Sequence, residues 1–273
     1  MSRKFKIRML AEGGVMIAMA TVLSLVSIIK MPFGGAVTLF SMLPILIFTY
    51  RYNVPNSIAV AVVFAIIQLL LGLKNFSYVK GAFSYFMVAT FDYILAFGVL
   101  GLSGIFKKTK KQTAIIASGV MSLTIIVIFT IALLSSKDGD MIAEFKRRWW
   151  IVAVEAGVVI VAVIISLALK DKATNASVTM ASGLVFTGVL RTICHFISGF
   201  TVWSEYAVNR TAIMYSLYYN LSYMIPEIIL TAIMAAVCAN LLDFDAELLN
   251  VRFKDDSKVK KLYDENGNEN VDG

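Results

Sequence analysis

The sequence reads as an all-α integral membrane protein of about eight spans, and three observations lead there. Of its 273 residues 59% are apolar and 16% charged, with only 4 prolines, a composition far from that of an ordinary soluble domain. The apolar residues gather into long runs, and crossing a hydrocarbon core of about 30 Å takes roughly 20 helical residues. Lys and Arg are divided unequally between the two sides that those runs define.

Taken in order, the runs fall near 8–29, 36–50, 56–73, 83–106, 113–134, 149–169, 176–200 and 211–241. The first follows MSRKFKIR, and its length, with no small-x-small cleavage pattern after it, makes it a retained span rather than a secretory signal. Within it Gly14 and Ala18 stand four apart, with Ala11 one turn earlier. That spacing lets another helix approach closely, although small residues are also common in membrane helices generally. Between the first two runs, Lys30 to Ile45 reads KMPFGGAVTLFSMLPI, where Pro32, Gly34 and Gly35 break helical continuity as a plain turn or as a lid over a cavity. From Asp243 to Gly273 the chain is polar and ends in DENGNENVDG, so a single transmembrane domain, residues 1–242, is expected to carry an exposed, partly disordered tail.

The formal charge of +7 conceals an asymmetry. The tail holds nine acids and five bases, a net of −4, which leaves +11 on the membrane domain. With eight spans both termini share one side; that side holds sixteen Lys and Arg against eight on the other, while Arg191 stays within a span. The excess orients the termini to the cytoplasm and accounts for the basic balance without nucleic acid. Lys146, Arg147 and Arg148, beside Trp149 and Trp150 on the outer side, run against that trend.

Several chemistries are excluded. There is no HExxH, no serine or cysteine beside a base and no GxxxxGK[ST] loop, so the chain reads as no enzyme, and energy for any uphill transport must come from elsewhere. Cys194 and Cys238 fall within spans as small packing residues, with neither a metal-ligand pattern nor a disulfide framework, and no cofactor is implied.

The informative residues are ionisable groups inside the runs: Asp92, Glu155, Arg191, His195 and Glu227. A charge at the bilayer centre costs about 2.5 to 3.5 kcal/mol on insertion scales, so each is a functional candidate. Asp92 has no base near it in sequence; it pairs with another helix, is protonated, or meets a cationic ligand. Arg191 and His195 share a helical face that Gly199 continues, Arg191 as a salt-bridge partner of Asp92, Glu155 or Glu227, and His195 as a core residue or a ligand contact. Trp203 is either an interfacial belt residue or part of a site. Asn220, Tyr223 and Glu227 recur on one face with Tyr215 and Tyr219 one turn earlier, beside a Pro226 that frees a backbone carbonyl. Glu155 has no evident companion. An anion, an indole and an amide suit a small, flat, cationic, nitrogen-rich ligand.

These residues carry a resemblance. Arg191-x-x-x-His195-Phe-Ile-Ser-Gly199, Trp203-Ser-Glu-Tyr206-Ala, Tyr215-Ser-Leu-Tyr-Tyr-Asn220-x-x-Tyr223-x-x-Pro226-Glu227, Asp92-Tyr93-x-Leu-Ala-Phe-Gly and Gly34-Gly35-Ala-Val-Thr38-Leu-x-Ser41 together resemble the thiamine-specific substrate-binding (S) components of energy-coupling factor (ECF) vitamin transporters. The resemblance implies a plasma-membrane vitamin receptor of six helices that binds thiamine tightly near the outer side. Its partners would be a transmembrane ECF coupling protein and two cytoplasmic ATPases. Position by position it implies Asp92 facing the cation, Trp203 stacking on a ring, His195, Tyr215 and Asn220 as ligand contacts with Tyr93, Tyr223 and Glu227 at the site, Gly34, Gly35 and Thr38 in the lid, and Gly14 and Ala18 on the docking face. Departures are an Asp where some relatives carry Glu, a Gly35 where some carry a stacking tryptophan, and an additional helix pair at about 110–170. Another vitamin, a thiamine precursor, or a carrier that works alone are the rival readings.

Overall fold

Side-chain caps start four of the helices. Ser2, Asn53, Thr174 and Thr211 each accept the backbone N–H three residues on, at Phe5, Asn56, Ser177 and Met214, which satisfies a donor that the first helical turn leaves open. The structure, a computed structural model, describes residues 2–134, 143, 149–169, 173–207, 211–244, 246 and 249–251. Its main helices are α1 (Arg3–Leu25), α2 (Leu43–Arg51), α3 (Val54–Leu71), α4 (Ala82–Phe106), α5 (Lys111–Leu134), α6 (Trp150–Leu169), α7 (Asn175–Thr201) and α8 (Ala212–Leu241). Lys146 to Arg148, the Glu155 side chain and the acidic tail beyond Val251 lie outside the described residues.

Among the described residues, six helices are long and apolar enough to cross a membrane: α1, α3, α4, α5, α7 and α8. The run expected at 36–50 is not one helix. Ser27–Lys30 (β1) and Ala36–Thr38 (β2) form an antiparallel hairpin, and α2 is a nine-residue helix, about 14 Å long. β-branched Ile28 and Ile29 favour the strand, so α1 stops at Leu25 rather than at 29. Pro44 lies in the first turn of α2, where its missing N–H costs nothing.

The bundle is built on α7. Of its most apolar stretch 67% is buried, against 17% for that of α1. α7 packs on α8, α5 and α4; α3 packs on α4, α1 on α2 and α3, and α6 on α5. The helix pair within 110–170 is joined to the core through α5, where Ala114 meets Phe106 and Phe186 and Ile126 meets Val159 and Val189.

α4 is irregular along its length, with a π-helical stretch at Val88–Leu95 and a 3-10 stretch at Val99–Phe106. In a 3-10 helix residues three apart eclipse, so Gly101 and Gly104 form one groove. A side chain on Gly101 would overlap the backbone of Ile58, and one on Gly104 the carbonyl of Thr49. These glycines bring α4 against α2 and α3 at backbone distance.

At the α1 N-terminal end the helices are tied by charge. Arg51 grips Glu12 with Nε to Oε2 at 2.8 Å and Nη2 to Oε1 at 3.0 Å, and its Nη1 donates to the Phe244 carbonyl at 3.0 Å. Tyr52 donates to Glu12 Oε2 at 2.9 Å, and Lys107 Nζ donates to the Tyr52 carbonyl. Burial pushes the Tyr52 hydroxyl above its ordinary pKa, and its bond to Glu12 adds to the rise. The Arg51 and Glu12 side chains are only 6% and 14% exposed, and a buried carboxylate that loses its partner costs about 3 kcal/mol. Arg51→Ala is therefore expected to lower the thermal midpoint of the purified protein by several degrees, and Arg51→Lys, which lacks the fork, to recover only part of it; equal melting of all three proteins would contradict the assignment.

Candidate functional site

A cavity of about 300 Å³ opens beneath the β1–β2 hairpin, walled by α1, α3, α4, α7 and α8. The π-helical stretch of α4 carries Asp92 and Tyr93 on its inner face, and such stretches recur at functional sites. Ser198, one turn beyond His195 on α7, donates to Asp92 Oδ2 at 2.6 Å. Trp203, on the short turn that follows α7, donates its indole N–H to the same oxygen at 3.2 Å. His195 Nδ1 lies 3.1 Å from Asp92 Oδ1. Three donors thus converge on one carboxylate, which matches the acceptor-only inventory of its ionised form. Arg191 Nε donates to His195 Nε2 at 3.4 Å, so the proton of a neutral imidazole sits on Nδ1, directed at Asp92.

Trp203 is 8% exposed, so it is not an interfacial belt residue. Among the described residues Arg191 makes no direct ion pair with Asp92 or Glu227. Its guanidinium lies over the Phe97 ring at 4.3 Å from the centroid, a contact that stabilises a buried cation, and the Glu227 carboxylate is near enough to act on its charge without a direct ion pair.

α8 supplies the opposite wall. Asn220 donates to the carbonyls of Ser216, at 2.9 Å, and His195, at 3.3 Å, and accepts the Tyr223 hydroxyl at 2.9 Å. Tyr219 accepts the N–H of Gly35 at 2.8 Å and donates to the Pro32 carbonyl. A side chain on Gly35 would lie 2.6 Å from that hydroxyl and 3.0 Å from Tyr223, so only glycine lets the hairpin approach α8 this closely. Phe33 lines the cavity from the hairpin tip. It sits at φ 64°, and its ring lies 5.7 Å from Trp203, 4.3 Å from Tyr206 and 5.4 Å from Tyr78.

The cavity wall brings together Asp92, Tyr93, His195, Trp203, Tyr215, Asn220 and Tyr223 with Gly34, Gly35 and Thr38. Glu227 is not on it; the residue is buried against Thr38 and Ser41. Gly14 and Ala18 are remote from it, on an exposed face of α1. Sequence reasoning missed Phe33, Gln68 and Asn75. Gln68 donates to Ser24 at 3.0 Å across α3 and α1, and Asn75 donates to the Tyr93 hydroxyl at 2.9 Å. An amide inside the apolar run of α3 was the available signal for Gln68.

The fold and site define a multi-pass membrane protein with a cavity lined by a carboxylate and aromatic rings. The chain belongs to the thiamine transporter protein family, whose model matches residues 10–243. It is 25% identical over 228 residues to the thiamine transporter ThiT of Bacillus subtilis (strain 168), a match covering 82% of this chain and 86% of the relative. Its fold is similar to a solved structure of ThiT from Listeria monocytogenes, with a TM-score of 0.52 at 15% identity over 86% of this chain and 94% of that one.

Gly199 sets the spacing of α7 and α8 at the site. A methyl group there would overlap the Ser216 hydroxyl and come within 3.1 Å of Asn220 Nδ2. Gly199→Ala is expected to spread the two helices, lower the thermal midpoint and weaken ligand binding about tenfold or more, since overpacking of this kind costs about 1 to 3 kcal/mol. Wild-type affinity in a well-folded Gly199→Ala protein would show that this spacing does not matter.

Proposed function

We propose that the chain binds thiamine in this cavity with high affinity, as the substrate-binding subunit of an ATP-driven ECF uptake transporter. The observation that carries the reading is a half-buried carboxylate, Asp92, on a cavity wall that it shares with the Trp203 indole, whose N–H it accepts. A thiazolium bears a fixed positive charge on a flat ring, so it answers an anion and an aromatic face together. The aminopyrimidine offers donors and acceptors that Asn220, His195, Tyr215, Tyr223 and Tyr93 are equipped to meet. Family membership supports thiamine as the cargo.

The β1–β2 hairpin over the cavity, with Gly34, Gly35 and Thr38 on its inner side, is the lid in this reading. Gly14 and Ala18 lie on an exposed face of α1, and a side chain on Gly14 would meet nothing within 4 Å; this is the surface offered to the coupling protein. With no nucleotide-binding loop in the sequence, ATP hydrolysis belongs to two partner ATPases on the cytoplasmic side, where both termini lie.

Thiamine is expected to quench tryptophan fluorescence of the purified protein. Asp92→Asn and Trp203→Ala should each raise the Kd by about 30-fold or more, the loss that follows when a buried partner of a charge is removed. Unchanged affinity in both variants rejects the site. Competition by the aminopyrimidine half at the affinity of thiamine itself would make a precursor the cargo, and uptake in cells lacking the coupling protein and ATPases would make the chain a carrier that works alone.

A further inference from the structure

Glu227 stands apart from the other residues at the site. The residue is 2% exposed, it is absent from the cavity wall, and its carboxylate is engaged with the hairpin. Oε2 accepts the backbone N–H of Thr38 at 2.5 Å and Oε1 accepts the Thr38 hydroxyl at 2.5 Å, with the Ser41 hydroxyl 3.4 Å from Oε1. A buried carboxylate is costly unless donors satisfy it, and here every donor comes from residues 38–41, where the hairpin runs back toward α2. At the other end of the hairpin, Tyr219 holds Pro32 and Gly35. One helix, α8, therefore grips the hairpin twice, two turns apart. The grip at Thr38 is the more deeply buried, since Glu227 is buried whereas Tyr219 is half-buried. Tyr219 lines the cavity and Glu227 does not.

We infer that Glu227 is a positioning residue that fixes Thr38 as the stationary base of the hairpin, so that ligand entry and exit open only the Tyr219 end. Its kinetic consequence rests on the thiamine-binding reading; the anchor itself does not.

The test uses the full chain in detergent, with Glu227→Gln, Thr38→Val, their double variant, and Thr38→Ser as the rescue that keeps the hydroxyl. Hydrogen exchange across residues 27–41 is expected to quicken about tenfold or more in both single variants, as it does when a buried bond to a charge is lost. Exchange in α4 and α7 should stay as in the wild type, Thr38→Ser should behave like the wild type, and the double variant should be no faster than the faster single one. Thiamine dissociation should quicken by about 10- to 100-fold while the full quench at saturation is retained. Unchanged exchange in the hairpin overturns the anchor, as does exchange that rises equally in every helix. A wild-type protein that binds no thiamine refutes the thiamine reading alone, and the exchange comparison then decides the anchor without it.

Discussion

A carboxylate inside an apolar bundle has to be surrounded by donors, and the arrangement of α4, α7 and the turn after α7 follows from meeting that need at Asp92. An ion moved from water into a low-dielectric interior loses several kcal/mol of solvation that only close partners restore. The partners here come from α7 and the turn after it: Ser198, His195 and the Trp203 indole. They reach Asp92 because α4 and α7 pack at backbone distance, with the carbonyl of Ser103 lying where a side chain on Gly183 would be. The π-helical stretch then turns Asp92 and Tyr93 toward the cavity. Removing any of these features would leave the charge without its shell.

The hairpin depends on α8 in the same way that Asp92 depends on α7. It has only short strands, pairing Lys30 with Ala36 and Ser27 with Thr38, and a two-stranded hairpin is marginal by itself. Its tip carries a phenylalanine at φ 64° beside a glycine at φ 103°, a backbone arrangement that costs of order 1 kcal/mol or more. The cost is offset by ring contacts of Phe33 with Trp203, Tyr206 and Tyr78 and by the bonds to Tyr219. Since Trp203 also binds Asp92, the covering ring and the buried anion meet on one indole. A ligand entering between them would touch both.

The long apolar runs and the ionisable residues inside them were visible from the sequence, because hydrocarbon tolerates charge only with a reason. Asp92 and His195, more than a hundred positions apart, were singled out on that ground and share one wall with Trp203, which could equally have been an interfacial residue. The hairpin was not visible: Ser27–Lys30 and Ala36–Thr38 are apolar stretches that periodicity cannot separate from the ends of helices. Nor was the direction of Glu227, since one helical face spans both the cavity and the hairpin base. For Arg191 a salt bridge to Asp92, Glu155 or Glu227 was one of the readings; it makes no direct pair with Asp92 or Glu227 among the described residues and lies over Phe97, a partner on another helix that nothing in the local pattern names. Phe33 looked like ordinary apolar content until the backbone showed its positive φ.

The helix pair within 110–170 can be placed by the phase of α7. Its site residues Arg191, His195 and Ser198 fall on one side of the helix, whereas Phe186, Val189 and Ile193 fall roughly opposite at about 100° per residue. Phe186 belongs to the cluster with Ala114 of α5, and Val189 and Ile193 to the cluster with Ile126. α5 therefore covers the back of the helix whose front carries the site, and α7, rich in serine, threonine and glycine, is shielded from lipid on both sides. α6 packs chiefly on α5 and only slightly on α8, so it covers α5 rather than the site. The pair thus bears on the cavity chiefly through the back of α7, with α5 as its main contact and α6 adding Val159 beside Val189 and Trp150 beside Tyr218 of α8.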